Sequence, residues 1–287
     1  MSERLRAALP LVAAAAAVLA VQAGLVIAGA WWAKAAAVAA RTPEELAAGR
    51  ALSATALFLG PWTPFAAALA GALQARSAEQ LTPGAGRGGT RDVPAPSPEG
   101  LRAAFRESGG AALMALAVVA GEIAGIAALR RAWSVAPGAP PDPARAAIFF
   151  GSIALAASGV FVLARRFASP EGSFLAVSGL IALLTGSVFF ADGWIEGAPQ
   201  GERADRIDLA IGANPLLAGA GEVAGTDLLR TRGLYGASVI GPYYPYRYPE
   251  LDASRNRYLA VMAAAFGGAL AVGGLRLLVR RLLPRRA

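Results

Sequence analysis

Glu122 is the side chain best placed to do chemistry in this sequence. It stands about two-thirds of the way along an apolar run, within Gly121-Glu122-Ile123-Ala124-Gly125. A charge at mid-membrane costs roughly 2.5–3.5 kcal/mol on insertion scales, so a carboxyl there is protonated, paired or turned to water. Two roles fit: a carboxylate of a proton or substrate pathway, or a hydrogen-bonding group between helices. Gly121 and Gly125 have the four-residue spacing that lets a second helix approach closely. Gln22 in the first apolar run and Arg276 in the last are its possible polar partners.

A second feature is Gly60-Pro61-Trp62-Thr63-Pro64. Pro61 and Pro64 remove backbone donors, so a kinked or broken helix is expected. Broken spans expose backbone groups to a cavity at transporter binding sites; kinked structural helices satisfy the same sequence. A third feature is Gly241-Pro-Tyr-Tyr-Pro-Tyr-Arg-Tyr-Pro249, and all six tyrosines lie between Tyr235 and Tyr258. Its three prolines favour an extended strip over a helix. Tyr243, Tyr244, Tyr246, Arg247 and Tyr248 read either as an interfacial aromatic belt or as a docking surface for a partner or glycan.

Much chemistry is excluded. The chain has no His and no Cys, so it has no thiolate nucleophile, imidazole base or Cys/His metal site. Its only lysine is Lys34, and no Walker A pattern occurs, so ATP chemistry by a P-loop is out. Asp192, Asp205 and Asp208 read as solvated charge. No cofactor and no enzymatic activity are expected.

These residues must be positioned by membrane helices. Of 287 residues, 56% are apolar and 16% charged, against about 25% charged in a soluble domain. A helix crosses the hydrocarbon core with ~20 apolar residues. Six runs qualify: Leu11–Trp32, Ala51–Ala75, Gly109–Leu129, Ala146–Ala164, Ser173–Ala191 and Tyr258–Val279. The expected fold is an all-α polytopic membrane protein, one six-helix transmembrane bundle over 1–287. The first run is longer than a signal-peptide core and reads as a retained anchor; cleavage is the other reading.

Arginine and lysine counts set the orientation. With the N-terminus inside, the inner connections and tails carry fourteen and the short outer loops six. The chain is therefore expected in the cell's inner (plasma) membrane, multi-pass, with both termini cytoplasmic. Arg130 and Arg131 locally oppose this. The net charge of +8 owes much to five arginines between Arg276 and Arg286, a topology anchor that meets anionic lipid rather than nucleic acid.

Residues 76–108 read as a cytoplasmic linker rich in Gly and Pro. Within it, Pro98–Glu107 reads as a short amphipathic helix on the membrane or as an extension of the third span. Residues 193–257 form an extracytoplasmic segment between spans five and six, nearly neutral and aromatic, so ordered rather than a free linker. One or two short helices are expected between Pro215 and Arg232. Ala263, Gly267 and Ala271, four apart in span six, are expected to pack against another helix.

Asn214-Pro215-Leu216-Leu217, leading to Leu228-Leu229-Arg230, is similar to the Asn-Pro-Leu stretch and following helix common near the end of ABC-2-type permeases. The layout resembles that family too: six spans, both termini inside, and a helical outer connection before the last span. The connection after span two carries Glu79-Gln80-Leu81-Thr82-Pro83 in place of the fuller acidic and Gly-Thr-Leu pattern. The resemblance implies a permease subunit in an oligomer or complex, driven by a separate ATP-binding subunit and moving substrate by alternating access. The other reading is a non-catalytic membrane scaffold that docks a partner through the Tyr/Pro-rich loop.

Overall fold

The structure, a computed structural model, describes residues 3–80, 98–231, 235, 238, 240–243 and 246–282. Most of the linker lies outside the described residues, as do Tyr244 and the side chains of Tyr243 and Arg276. Among the described residues there are helices and turns but no strand.

Six long helices form an all-α polytopic bundle. They are α1 (Glu3–Ala39), α2 (Glu44–Gln80), α3 (Pro98–Ala132), α4 (Pro143–Ala164), α5 (Pro170–Gly186) and α10 (Leu251–Leu282). Each contains a stretch long and apolar enough to cross a membrane. Between α5 and α10 lie α6 (Asp192–Glu196), α7 (Arg203–Ala213), α8 (Pro215–Ala218) and α9 (Ile240–Tyr243).

The helix starts are set by capping. Asp142 precedes Pro143 and accepts from the amides of Ala144 and Arg145. Ser169 precedes Pro170 and accepts from Gly172. A polar cap followed by Pro at the first helical position satisfies orphan amides where proline's missing donor costs nothing. Spans four and five therefore begin three residues before their apolar runs.

Ion pairs show how the helices alternate. Arg76, late in α2, lies 3.4 Å from Glu171 at the start of α5. Glu107 in α3 meets Arg165 and Arg166, just past α4, at 3.3 and 3.7 Å. At the opposite end Lys34 in α1 reaches Glu44 in α2 at 3.5 Å, and its ammonium stands 5.2 Å from the Trp133 ring. Arg130 explains the local charge anomaly after α3. Its guanidinium donates to the carbonyls of Ala136, Ala139 and Pro141, closing the α3–α4 loop.

The structure decides between two pairs of readings and corrects a third expectation. Residues Pro98–Glu107 extend the third span rather than forming a separate surface helix, because α3 runs unbroken from Pro98 to Ala132. The second span is not broken, because α2 is continuous through Pro61 and Pro64. Two prolines remove two donors, whereas melting the helix in hydrocarbon would strand many backbone groups. Ala263, Gly267 and Ala271 face outward, and α10 instead packs through Ala265 and Ala269.

The described residues of 192–250 form a cap over the end of the bundle that holds Lys34 and Glu44. It has its own apolar cluster of Ile195, Ile207, Ile211, Leu217, Leu229 and Ile240, continuous with Val188 past α5. Ile207, Ala210, Ile211 and Asn214 lie on one face of α7, and Asp205 and Asp208 are exposed. Pro215–Ala218 and the 3-10 turn Leu228–Arg230 are the short helical pieces expected there. Gly241–Tyr243 is a helical turn rather than extended, since Pro242 falls in the first turn of α9, where a missing donor is harmless.

Candidate functional site: a buried carboxyl beneath a clamped cap

α1 and α3 meet at the two glycines. A Cβ on Gly121 would strike the carbonyl of Leu19 and come 2.9 Å from the Cβ of Gln22. One on Gly125 would come 2.9 Å from the Val26 side chain. This close approach encloses the residue between them, and Glu122 is 0% exposed.

The partner of Glu122 is neither Gln22 nor, among the described residues, any cation. Thr63, itself fully buried, donates its hydroxyl to Glu122 Oε2 at 2.8 Å. Gln22 serves the neighbouring residue, its Oε1 accepting from Trp62 Nε1 at 2.9 Å. Both acceptors thus bind the Trp62-Thr63 pair between the two prolines, one from α1 and one from α3. Among the described residues Glu122 Oε1 has no hydrogen-bond partner. Trp62 stacks between Phe58 and Phe65, with ring centroids 5.8 and 5.5 Å away, which fixes the indole that holds Gln22.

The same stretch of α2 touches the cap. The carbonyl of Pro215 lies against the Cα of Gly60, where any side chain would collide with it. Pro215 is held there by Asn214, which is 0% exposed. The Asn214 Oδ1 accepts from the amides of Leu216 and Leu217 at 2.9 and 3.2 Å, and Nδ2 donates to the Thr185 carbonyl at 2.9 Å. One side chain therefore caps the start of α8 and the end of α5 together. The need is geometric. With 17 residues α5 rises only about 26 Å, and the carbonyls of its last turn have no further amide of the same helix to accept from.

Further contacts clamp the cap. Gly219 accepts the Phe149 ring, and Gly225, at φ 63°, lies against Pro140. Glu222 pairs with Arg145 at 2.6 Å, and the Tyr258 hydroxyl reaches the Gly212 carbonyl at 3.4 Å.

The tyrosine strip forms a separate cluster. Tyr246 and Tyr248 both donate to Asp227 Oδ1, at 2.8 and 3.0 Å, and their rings stand edge to face at 5.8 Å. The Tyr248 hydroxyl also accepts from the Leu229 amide at 3.0 Å. Residues two apart on an extended chain share a face, so both rings turn inward and Arg247 between them is exposed. Asp227 is a site residue that sequence reading missed.

Burial, with Asp227 behind it, pushes the Tyr248 hydroxyl well above its ordinary value, and Tyr246 shifts upward for the same reasons. A group whose ionisation is harder in the folded chain keeps its stabilising contribution below the unfolded value of about 10 and loses it as pH rises beyond. The cap is therefore expected to loosen progressively as pH rises above about 10. The rate of limited proteolysis between residues 226 and 250 measures this, and Tyr248→Phe should blunt the alkaline rise.

No protein-family model matches the sequence, and neither a curated protein nor a solved structure gives a match.

Proposed function

We propose that the chain is the permease-type membrane subunit of a multicomponent transporter. It sits in a bacterial inner membrane with both termini cytoplasmic and moves substrate by alternating access with a separate ATP-binding subunit. The supporting observation is the position of Gly60–Pro64. Through Gly60 this stretch carries the cap, and through Thr63 it carries Glu122, the one acid within the apolar spans. A displacement of the cap thus reaches the polar centre of the bundle through one proline-bearing segment of α2. Its backbone ladder already lacks two donors, and helices yield most readily at such points.

Purification of the full chain in mild detergent tests this reading. A copurifying ATPase whose turnover changes in the presence of the chain supports the permease. A complex without any ATP-binding chain favours the scaffold, for which the exposed Arg247 on the cap is the docking group. The orientation has its own test. A cysteine replacing Gly201 is expected to react with an impermeant thiol reagent in intact spheroplasts, and one replacing Gly86 only after permeabilisation. The reverse pattern would put the cap in the cytoplasm.

A further inference from the structure

Among the described residues the bundle holds one buried carboxyl, and the transport reading does not use its chemistry. Glu122 is 0% exposed and, among the described residues, receives one hydrogen bond and has no partner for Oε1. Every element packed around it is free of charge at that level. α1 has no Asp, Glu, Lys, Arg or Tyr from Leu11 to Ala33, α2 has none from Ala51 to Ala75, and α4 has none from Ala146 to Ala164. On α10, Arg257 and Tyr258 face Gly212 instead. What faces Glu122 is Thr63 on α2 and, beside Gly121, Gln22 on α1.

A carboxylate so enclosed would have one hydroxyl donor in place of its hydration shell, and a buried charge without a counter-ion or several donors is not tolerated. A metal cation would need several oxygens, and the contacts here supply Glu122 and Thr63. A proton needs the carboxyl alone. The neutral acid also fits the contact in both directions: Thr63 can donate to Oε2, or accept from a protonated Oε2 and turn its own proton to the preceding helical turn.

We propose that Glu122 is a reversible binding site for a single proton, and that its occupancy decides whether α2 and α3 stay joined at Thr63. Binding is the addition of one proton from water to the carboxylate, and release returns it to water. With the proton bound, the α1–α2–α3 packing is closed and neutral. With the proton lost, the carboxylate must gain water, and the opening falls at the proline-bearing turn of α2, where the fewest backbone hydrogen bonds oppose it. This goes beyond the permease reading and does not depend on an ATP-binding partner.

Infrared difference spectroscopy on the full chain in lipid nanodiscs tests the site, with glutamate carrying ¹³C at the carboxyl. The expected result is a protonated-acid carbonyl band, sensitive to the isotope and absent from Glu122→Gln. It should vanish and return as pH is cycled, its acid-to-base ratio changing about tenfold per pH unit as for one proton. Thr63→Val should shift the midpoint and Thr63→Ser should restore it. A band present at every pH at which the bundle stays folded overturns the proposal, because Glu122 is then a fixed neutral group. A band present at none overturns it as well, because the carboxylate is then permanently paired. If Glu122→Gln fails to fold, Glu122→Asp identifies the band, because an aspartic acid at 122 gives a carbonyl band without the glutamate isotope shift. Hydrogen exchange, corrected for its intrinsic pH dependence, reads the second half. Amides 59–66 should lose protection above the midpoint in the wild type. Unchanged protection there would leave the proton uncoupled from the helix contact and sink that half.

Discussion

Asn214→Leu is expected to release the cap from the bundle while leaving the six spans in place. The substitution keeps roughly the same side-chain volume but removes four hydrogen bonds, the longest a 3.5 Å contact to the Ser187 hydroxyl, at a fully buried position. Loss of a helix N-cap costs roughly 0.5–2 kcal/mol. The carbonyl of Thr185 and two amides are left without partners, at about 1–3 kcal/mol for a buried group so stranded. A combined loss of roughly 2–4 kcal/mol is expected, since the terms overlap. Asn214→Ser should lose less, because its hydroxyl still caps α8 although it no longer reaches Thr185. Hydrogen exchange separates cap from bundle. Amides in 203–224 should exchange much faster in Asn214→Leu, while those in α3 and α4 should not. Equal acceleration in both would mean that the cap is part of the bundle's cooperative unit. No acceleration would mean that the Asn214 contacts are replaced by water.

How much of this was legible in the sequence depends on which physical quantity each feature needs. The six spans were legible because hydropathy and length depend only on composition, and each expected run lies largely inside one long helix. Their starts at Pro143 and Pro170 were written in Asp142 and Ser169, polar caps before proline, but the apolar runs begin later. Helix α7 was missed although Ile207, Ala210 and Ile211 carry its period, because their charged neighbours mask it in a window average. The burial of Glu122 was legible from its cost in lipid, and Gly121 and Gly125 told that a helix comes close. Which helix supplies the hydrogen bond was not legible. That depends on the rotation of α2 about its axis, and α2 is apolar nearly all round, so Thr63 and Gln22 are indistinguishable as partners until the helices are placed. The outward turn of Ala263, Gly267 and Ala271 has the same origin. In an Ala- and Gly-rich helix many stripes satisfy small-residue spacing, and only the contact with α4 selects one.

Gly121→Leu is expected to be the most damaging single change in the spans. A Cβ at that position already overlaps the carbonyl oxygen of Leu19, which is backbone and cannot rotate away. A leucine must therefore push α1 off α3 along its length. Overpacking a tight site costs roughly 1–3 kcal/mol and occasionally more. Here the displaced contact also holds Gln22 against Trp62, so a buried indole donor is stranded at the same time. Gly125→Leu meets the Val26 Cβ at 2.9 Å and the Ala23 carbonyl at 3.1 Å, a looser approach than the Leu19 carbonyl makes at Gly121, and should cost less. Gly24 and Gly29 supply the control: a Cβ at either meets nothing within 4 Å. Leucine at those two positions should leave thermal unfolding in detergent nearly unchanged, or raise the midpoint slightly, since Gly is a poor helix former. The ordering is the informative result. If leucine at position 24 were as harmful as at 121, the α1–α3 contact would lie on a different face of α1. The enclosure of Glu122 by that helix would then be wrong, and with it the reason for a single neutral acid at the centre of the bundle.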